Sequence, residues 1–143
     1  MIPEIIRFTF AETSFIERAF AIRKEVFVIE QDCPPELEYE NEEICIHYLA
    51  YYNGSPAATA RWRQTENGFK LERFAVLKEY RMKGIALALV QRLLEDVKPF
   101  NKTIYLHAQI TAMPLYAKAG FQPTGPQFEE ASIQHYKMVF NPS

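Results

Sequence analysis

The sequence has little that would staple it or embed it. Its 143 residues include only two cysteines, Cys33 and Cys45, in unrelated contexts and without Cys-x-x-Cys spacing. Neither a disulfide framework nor a zinc site is indicated, and no metal is expected. No apolar run approaches the roughly 20 residues that span a bilayer. Met1-Ile2-Pro3-Glu4 also lacks the basic-then-apolar pattern of a secretion signal, so the expected location is cytoplasmic, with no membrane partner. Basic charge is not in excess either, at 16 Lys and Arg against 18 Asp and Glu. Nucleic acid is therefore not an expected partner, because polyanion binding leans on clustered cations. Repeats, low-complexity tracts and Gly/Ser linkers are absent, which leaves one domain, 1–143, long enough to bury about two thirds of its unfolded surface.

What is present is unevenly charged. Residues 1–43 hold eleven acids against four bases, including Glu36, Glu38, Glu40, Glu42 and Glu43, whereas residues 61–102 hold ten bases against five acids. The glutamate run reads either as a solvated loop or as a cation-attracting rim.

Apolar periodicity gives the elements. Ile5–Phe10 reads as a first strand. Ser14-Phe15-Ile16-Glu17 has the form of a capping box, and Phe15, Ala19, Ile22 and Val26 follow at helical spacing, with Phe20 and Phe27 widening the stripe. That helix should break before Pro34-Pro35. Asn53-Gly54 and Asn67-Gly68 each predict a tight hairpin, giving an antiparallel meander of about 44–52, 57–64 and 69–77. Ile85, Leu89, Leu93 and Val97 mark an amphipathic helix ending before Pro99, and 103–108 reads as a strand. Strand, helix and strand in this order form a right-handed crossover, so 69–77 and 103–108 should be parallel neighbours. A short helix, 112–119, closed by Gly120, and a pair 121–128 and 135–140 complete the chain.

Arg81-Met82-Lys83-Gly84-Ile85-Ala86 stands between a strand and a helix start. Free amides and the helix dipole suit such a loop to a phosphate, with Lys78, Arg81 and Lys83 adding positive charge. Alone, the loop is equally ordinary turn chemistry.

Leu71-Glu72-Arg73-Phe74-Ala75-Val76, Arg81-x-x-Gly84-x-Ala86, and Ala112-x-x-Leu115-Tyr116-x-Lys118-x-Gly120-Phe121 together resemble the Gcn5-related N-acetyltransferase (GNAT) superfamily. Flanking stretches resemble its ElaA/YjcF-type subgroup: Ile22-Arg23-x-x-Val26-Phe27-Val28-x-Glu30-Gln31, Leu106-His107-Ala108-Gln109, and Phe128-Glu129-Glu130-Ala131-x-Ile133-x-His135. The one departure is Ala86, where the commoner loop ends in glycine. The resemblance implies a mixed α/β (α+β) fold, mostly antiparallel, of order β-α-β-β-β-α-β-α-β-β, with a central parallel pair splayed at the cofactor site.

It also implies acetyl-CoA as acyl donor and an amine as acceptor. The pantetheine arm would lie along Phe74, Ala75 and Val76 after a splay beginning beyond residue 76, and the pyrophosphate on Arg81, Met82, Lys83, Gly84, Ile85 and Ala86. Gln109 matches a position that bonds the cofactor arm, or is a polar strand end. Tyr116 aligns with the tyrosine that protonates the leaving thiolate, or packs a short helix. An ammonium acceptor must lose a proton before attack. Glu72 is the first choice of base, with a salt bridge to Arg61 or Arg63 as its rival reading, and His107 is the best placed of the three histidines. Arg23, Glu30, Gln31, Trp62 and the Glu36–Glu43 loop would face the acceptor, where an acidic rim would favour a polyamine, an amino sugar or a lysine side chain. An acyl-homoserine-lactone-type synthase and a non-catalytic CoA-binding module are the other readings. A homodimer is allowed, though nothing in the sequence selects it.

Overall fold

The computed structural model describes residues 2–33 and 40–141. Seven strands form one sheet: β1 (Glu4–Phe8), β2 (Ile46–Tyr52), β3 (Ser55–Thr65), β4 (Gly68–Val76), β5 (Ile104–Gln109), β6 (Phe121–Glu130) and β7 (Ile133–Phe140), in spatial order β1-β2-β3-β4-β5-β7-β6. Every described pairing is antiparallel except β4 with β5, the expected crossover pair. Helix α1 (Thr13–Arg23) covers one face, and α2 (Ile85–Val97) with α3 (Met113–Lys118) covers the other. Alternation along the strands feeds two cores. Tyr48, Ala58, Ala60, Leu71 and Leu106 meet the α2 residues Ile85, Leu89, Leu93 and Val97, while Phe8, Leu49 and Ala75 meet Ile16, Ala19 and Ile22 of α1. Among the described residues no helix is long and apolar enough to cross a membrane.

Three local expectations are corrected. No capping box forms at α1, because the helix starts one residue before Ser14 and Glu12 occupies the cap without a side-chain hydrogen bond. The first Asn-Gly pair is a true two-residue turn, with φ of +52° at Asn53 and +81° at Gly54. The second is shifted: Thr65 pairs with Gly68, so Glu66 and Asn67 make the turn and Gly68 opens β4. Glycine is needed there for room as well as for its φ of +128°, since a Cβ would stand 2.3 Å from the Thr103 carbonyl oxygen.

The third correction sets the site. β4 and β5 pair only at Phe69↔Ile104, Lys70↔Tyr105 and Leu71↔Leu106, so they part after Leu71 and not after Val76. The cause is a bulge. Thr59 pairs with Ala75 but Arg61 pairs with Glu72, and Arg73 takes up the slack at φ +58°. An extra residue inverts the in–out alternation and bends the strand. Leu71 accordingly faces α2, whereas Ala75, four residues on, faces α1.

The α1 helix does not end at Arg23 but widens into a π-helical turn, Lys24–Glu30. Gln31 N then bonds Val26 O at 3.1 Å, and Cys33 N bonds Phe27 O at 2.8 Å. π-turns of this kind often sit at functional sites. The Pro34-Pro35 break, Glu36 and Glu38 lie outside the described residues.

Candidate active site

Where β4 and β5 part, a cleft of about 520 Å³ opens, within the range of ligand sites. One rim is the β5-facing edge of Glu72–Val76, which no strand pairs. Buried backbone groups need partners, so this edge is suited to an extended ligand that adds itself as a strand. Part of it is already used: Val76 O accepts from Arg81 Nε at 3.0 Å.

At one end of the cleft lies the Arg81–Ala86 loop. Gly84 caps α2 at φ +78°, and a Cβ built there would meet nothing within 4 Å, so the space in front of it is open. The first intrahelical bond is Ala88 N to Gly84 O at 3.1 Å. The amides of Gly84, Ile85, Ala86 and Leu87 therefore have no intrahelical acceptor and stand at the positive end of the helix dipole. An anion fits this end. Arg81 contributes less than expected, because both its terminal nitrogens bond Glu30, at 2.8 and 2.7 Å, and its own amide bonds Lys78 O.

Gln109 ends β5 on the α1 side of the sheet and exchanges amide hydrogen bonds with Gln31, at 3.0 and 3.4 Å. The π-turn thus ties both rims, Glu30 to the loop and Gln31 to β5. Tyr116 lies on α3, buried, with Phe74 edge-on at 5.6 Å between ring centroids. Burial pushes its phenol above the ordinary value. The hydroxyl has no hydrogen-bond partner among the described residues, although the residue lines the cleft.

Glu72 also lines the cleft, but as part of a buried charge network. Its carboxylate takes Arg61 Nε at 2.7 Å, Arg63 Nε at 3.3 Å and Lys70 Nζ at 3.5 Å. Burial works to raise its pKa, yet the surrounding cations outweigh it and hold the carboxyl below the usual range. Arg61 also bonds Glu42 at 2.7 Å, and Glu42 takes Arg23 in a fork at 3.0 and 2.7 Å. With Arg23 and Arg61 each 1% exposed, this chain of charges is interior. Arg23 and Glu42 therefore do not rim the acceptor side, and neither does Trp62, whose indole nitrogen bonds Tyr48 Oη at 2.8 Å on the α2 side.

His107 is different. It alternates with Leu106 and Ala108, so it points to the α1 side, lines the cleft and bonds Glu130 through Nδ1 at 3.2 Å. His135, another of the three histidines weighed as base, joins it in the cleft wall, as do Lys70, Arg73 and Glu130, to which the sequence assigned no role. The signal available was the β6–β7 hairpin register, which sets Phe128 opposite His135 and brings Glu130 two residues further along the same face. No group of His, Cys, Asp and Glu able to hold a metal occurs among the described residues.

The profile of the acetyltransferase (GNAT) domain matches residues 17–141. The chain belongs to the GNAT acetyltransferase family. GNAT relatives agree in sequence and in fold. A Bacillus subtilis protein named as an acetyltransferase is 37% identical over 129 residues, covering 87% of this chain and 88% of its own. The uncharacterized N-acetyltransferase YjcF of the same organism is 34% identical over 128 residues, covering 87% and 91%. The crystal structure of Escherichia coli ElaA superposes with a TM-score of 0.82 at 25% identity, covering 96% of this chain and 99% of that one. The chain is thus a GNAT acyltransferase by family, and its mixed sheet with one parallel pair is the fold of its structural relatives.

Proposed function

We propose that this enzyme transfers an acetyl group from acetyl-CoA to a primary amine, on a small molecule or a lysine side chain, by direct attack. One observation carries the reading. The unpaired edge of β4, the open N-terminus of α2 and the unpartnered Tyr116 hydroxyl border one continuous cleft. Acetyl-CoA would lie with its pantetheine along Glu72–Val76 and its pyrophosphate on the amides of Gly84–Leu87. Bound there it supplies an activated thioester, and the chain's residues do the rest.

The base falls to His107 and not to Glu72. A carboxylate held below its normal range by Arg61, Lys70 and Arg63 is a weak proton acceptor, whereas an imidazole suits proton removal near neutral pH. Tyr116 retains its proton across the working pH range. A thiolate is the weaker base of the two, so proton transfer to it must accompany C–S cleavage and depends on placement. Glu72 serves to fix Arg61, Arg63 and Lys70 under the β4 edge. Acidic residues do not dominate the cleft: Glu72 and Glu130 are both opposed by cations, so a polycationic acceptor is not favoured over a simple amine.

Thiol release from acetyl-CoA with a panel of primary amines tests the reading. Turnover with at least one amine supports it. Tight CoA binding without thiol release for any amine would make the chain a binding module, and activity confined to acyl-carrier donors would make it a synthase.

A further inference from the structure

We propose that Glu130 is a positioning residue that holds His107 in the Nδ1–H tautomer, so that the Nε2 lone pair is the one presented to the cleft. The inference rests on the reading of His107 as base and extends it to a residue of another strand. Glu130 ends β6, yet its carboxylate reaches across β7 to the β5 residue His107, where Oε1 lies 3.2 Å from Nδ1. A carboxylate can only accept, so Nδ1 carries the hydrogen and Nε2 of the neutral ring is left unprotonated. Glu130 is ionised throughout the working range. The hydrogen bond to His107 chiefly holds its pKa at about 2, against the opposing effect of burial, with the charges of Lys70, His107 and His135 helping.

The second histidine of the cluster does not compete for that oxygen. His135 donates from Nδ1 to Ile133 O at 2.7 Å, which leaves its own Nε2 bare and 3.9 Å from Glu130 Oε2, beyond hydrogen-bonding range. Phe128 completes the setting. It stands edge-on to His107, with centroids 5.0 Å apart and planes at 75°, and stacks on His135 at 5.8 Å and 21°. His107 is thus oriented by an aromatic edge and a fixed acceptor. The charged and titratable groups beside the ring are Glu130 from β6, Lys137 from β7 and Tyr105 from β5, and His135 from β7 with Lys70, Glu72 and Arg73 from β4 share the cleft wall with it.

The step it serves balances as follows. His107 Nε2 takes a proton from the ammonium acceptor, giving imidazolium and a neutral amine. The amine nitrogen bonds the thioester carbon and the C–S bond breaks. The thiolate takes the Tyr116 proton, and the extra proton on nitrogen restores the phenol. Imidazolium finally releases its proton to water.

Two variants separate charge from hydrogen bonding. Glu130→Gln keeps an oxygen acceptor without the charge, and Glu130→Leu removes both. The Glu130 side chain is 41% exposed at a hairpin end, so both variants should fold, which thermal melting checks. With acetyl-CoA and the best amine of the panel, Glu130→Leu should lower kcat about 10- to 100-fold with KM for acetyl-CoA unchanged, and Glu130→Gln should lower it less. The acidic limb of the kcat/KM profile should move to lower pH in Glu130→Gln, because losing a negative charge disfavours imidazolium. Nitrogen-15 shifts of His107 give a readout independent of turnover: Nδ1–H in the parent chain, redistributed toward Nε2–H in Glu130→Leu. A kcat within twofold of the parent, or an unchanged tautomer in Glu130→Leu, overturns the proposal, as does a fully active His107→Gln. If the parent chain releases no thiol with any amine, the reading of the reaction fails instead, and the nitrogen shifts alone then decide whether Glu130 fixes the ring.

Discussion

Arg81 is held by Glu30: its two terminal nitrogens lie 2.8 and 2.7 Å from the two oxygens of that carboxylate, and its Nε lies 3.0 Å from Val76 O. The most obvious cation of the proposed phosphate loop is therefore neutralised by a residue fifty-one positions earlier. With the pyrophosphate placed there as proposed, a carboxylate beside it opposes the ligand. Glu30→Gln should lower KM for acetyl-CoA about two- to fivefold by removing roughly 1 kcal/mol or less of repulsion. Both side chains are more than a third exposed, so the change in stability should stay below about 0.5 kcal/mol. A raised KM would instead mean that Glu30 supports binding by holding Arg81 in place.

Gly84 should tolerate bulk but not charge. Its φ of +78° makes any side chain strained, yet no atom lies within 4 Å of the position a Cβ would take. Gly84→Ala should cost about 1–2 kcal/mol of stability from backbone strain alone. Gly84→Asp sets an anion before the free amides, and calorimetric titration should show CoA binding at least about tenfold weaker than in Gly84→Ala. Equal affinities for the two variants would move the pyrophosphate elsewhere.

Much of this was legible in the sequence because it depends on local period. Ile85, Leu89, Leu93 and Val97 declare α2, and Asn53-Gly54 declares its turn, through interactions spanning only a few residues. Illegible features depend on contacts between distant residues. The splay point follows from a bulge at Arg73, a non-glycine residue that gives no local sign of a positive φ. Glu42 read as part of a solvated loop or of a cation-attracting rim, and its burial follows only from two arginines, nineteen positions away on either side, that need a counter-charge. Of the two candidate bases, Glu72 proved to be ion-paired with Arg61 and Arg63, and no local pattern reveals whether a strand carboxylate is paired or free.

That counter-charge gives a stability prediction. Glu42 is 6% exposed and bonds both Arg23 and Arg61. Glu42→Leu would remove the carboxylate fork from Arg23 and one of the two carboxylates on Arg61, which keeps Glu72, and breaking a buried pair from one side costs about 3–5 kcal/mol. Denaturant titration should show a loss of that size with little change in slope. A loss under about 1 kcal/mol would mean that water reaches the network.

Tyr116→Phe should separate chemistry from folding. The hydroxyl has no protein partner among the described residues, while the ring packs on Phe74 and Phe121. Removing the oxygen should leave the melting temperature within a few degrees and lower kcat about 100-fold, the scale of a lost general acid. If kcat is unchanged, the thiolate takes its proton from water.

Stability should fall on acidification in two stages. His47 is buried, and its Nε2–H donates to Glu42 O at 2.9 Å. Burial disfavours imidazolium and lowers its pKa from 6.5, with the Glu42 carbonyl and charge only partly opposing this. A lowered folded pKa means stability that is present above about 6.5 and lost as pH falls below it. Glu42 and Glu72 add a second stage. Burial opposes their ionisation, but Arg23 and Arg61 around Glu42, and Arg61, Lys70 and Arg63 around Glu72, hold both below 4.5. Their contribution is complete above that value and disappears as pH drops through the depressed folded values. Urea midpoints at pH 8, 6, 5 and 3.5 should therefore decline first modestly and then steeply. His47→Gln, which keeps an amide N–H for the Glu42 carbonyl but cannot titrate, should remove the upper stage and leave the lower one. A parent midpoint that is flat between pH 7.5 and 5 would show that His47 protonates without penalty, its burial being fully offset by the Glu42 carbonyl and carboxylate.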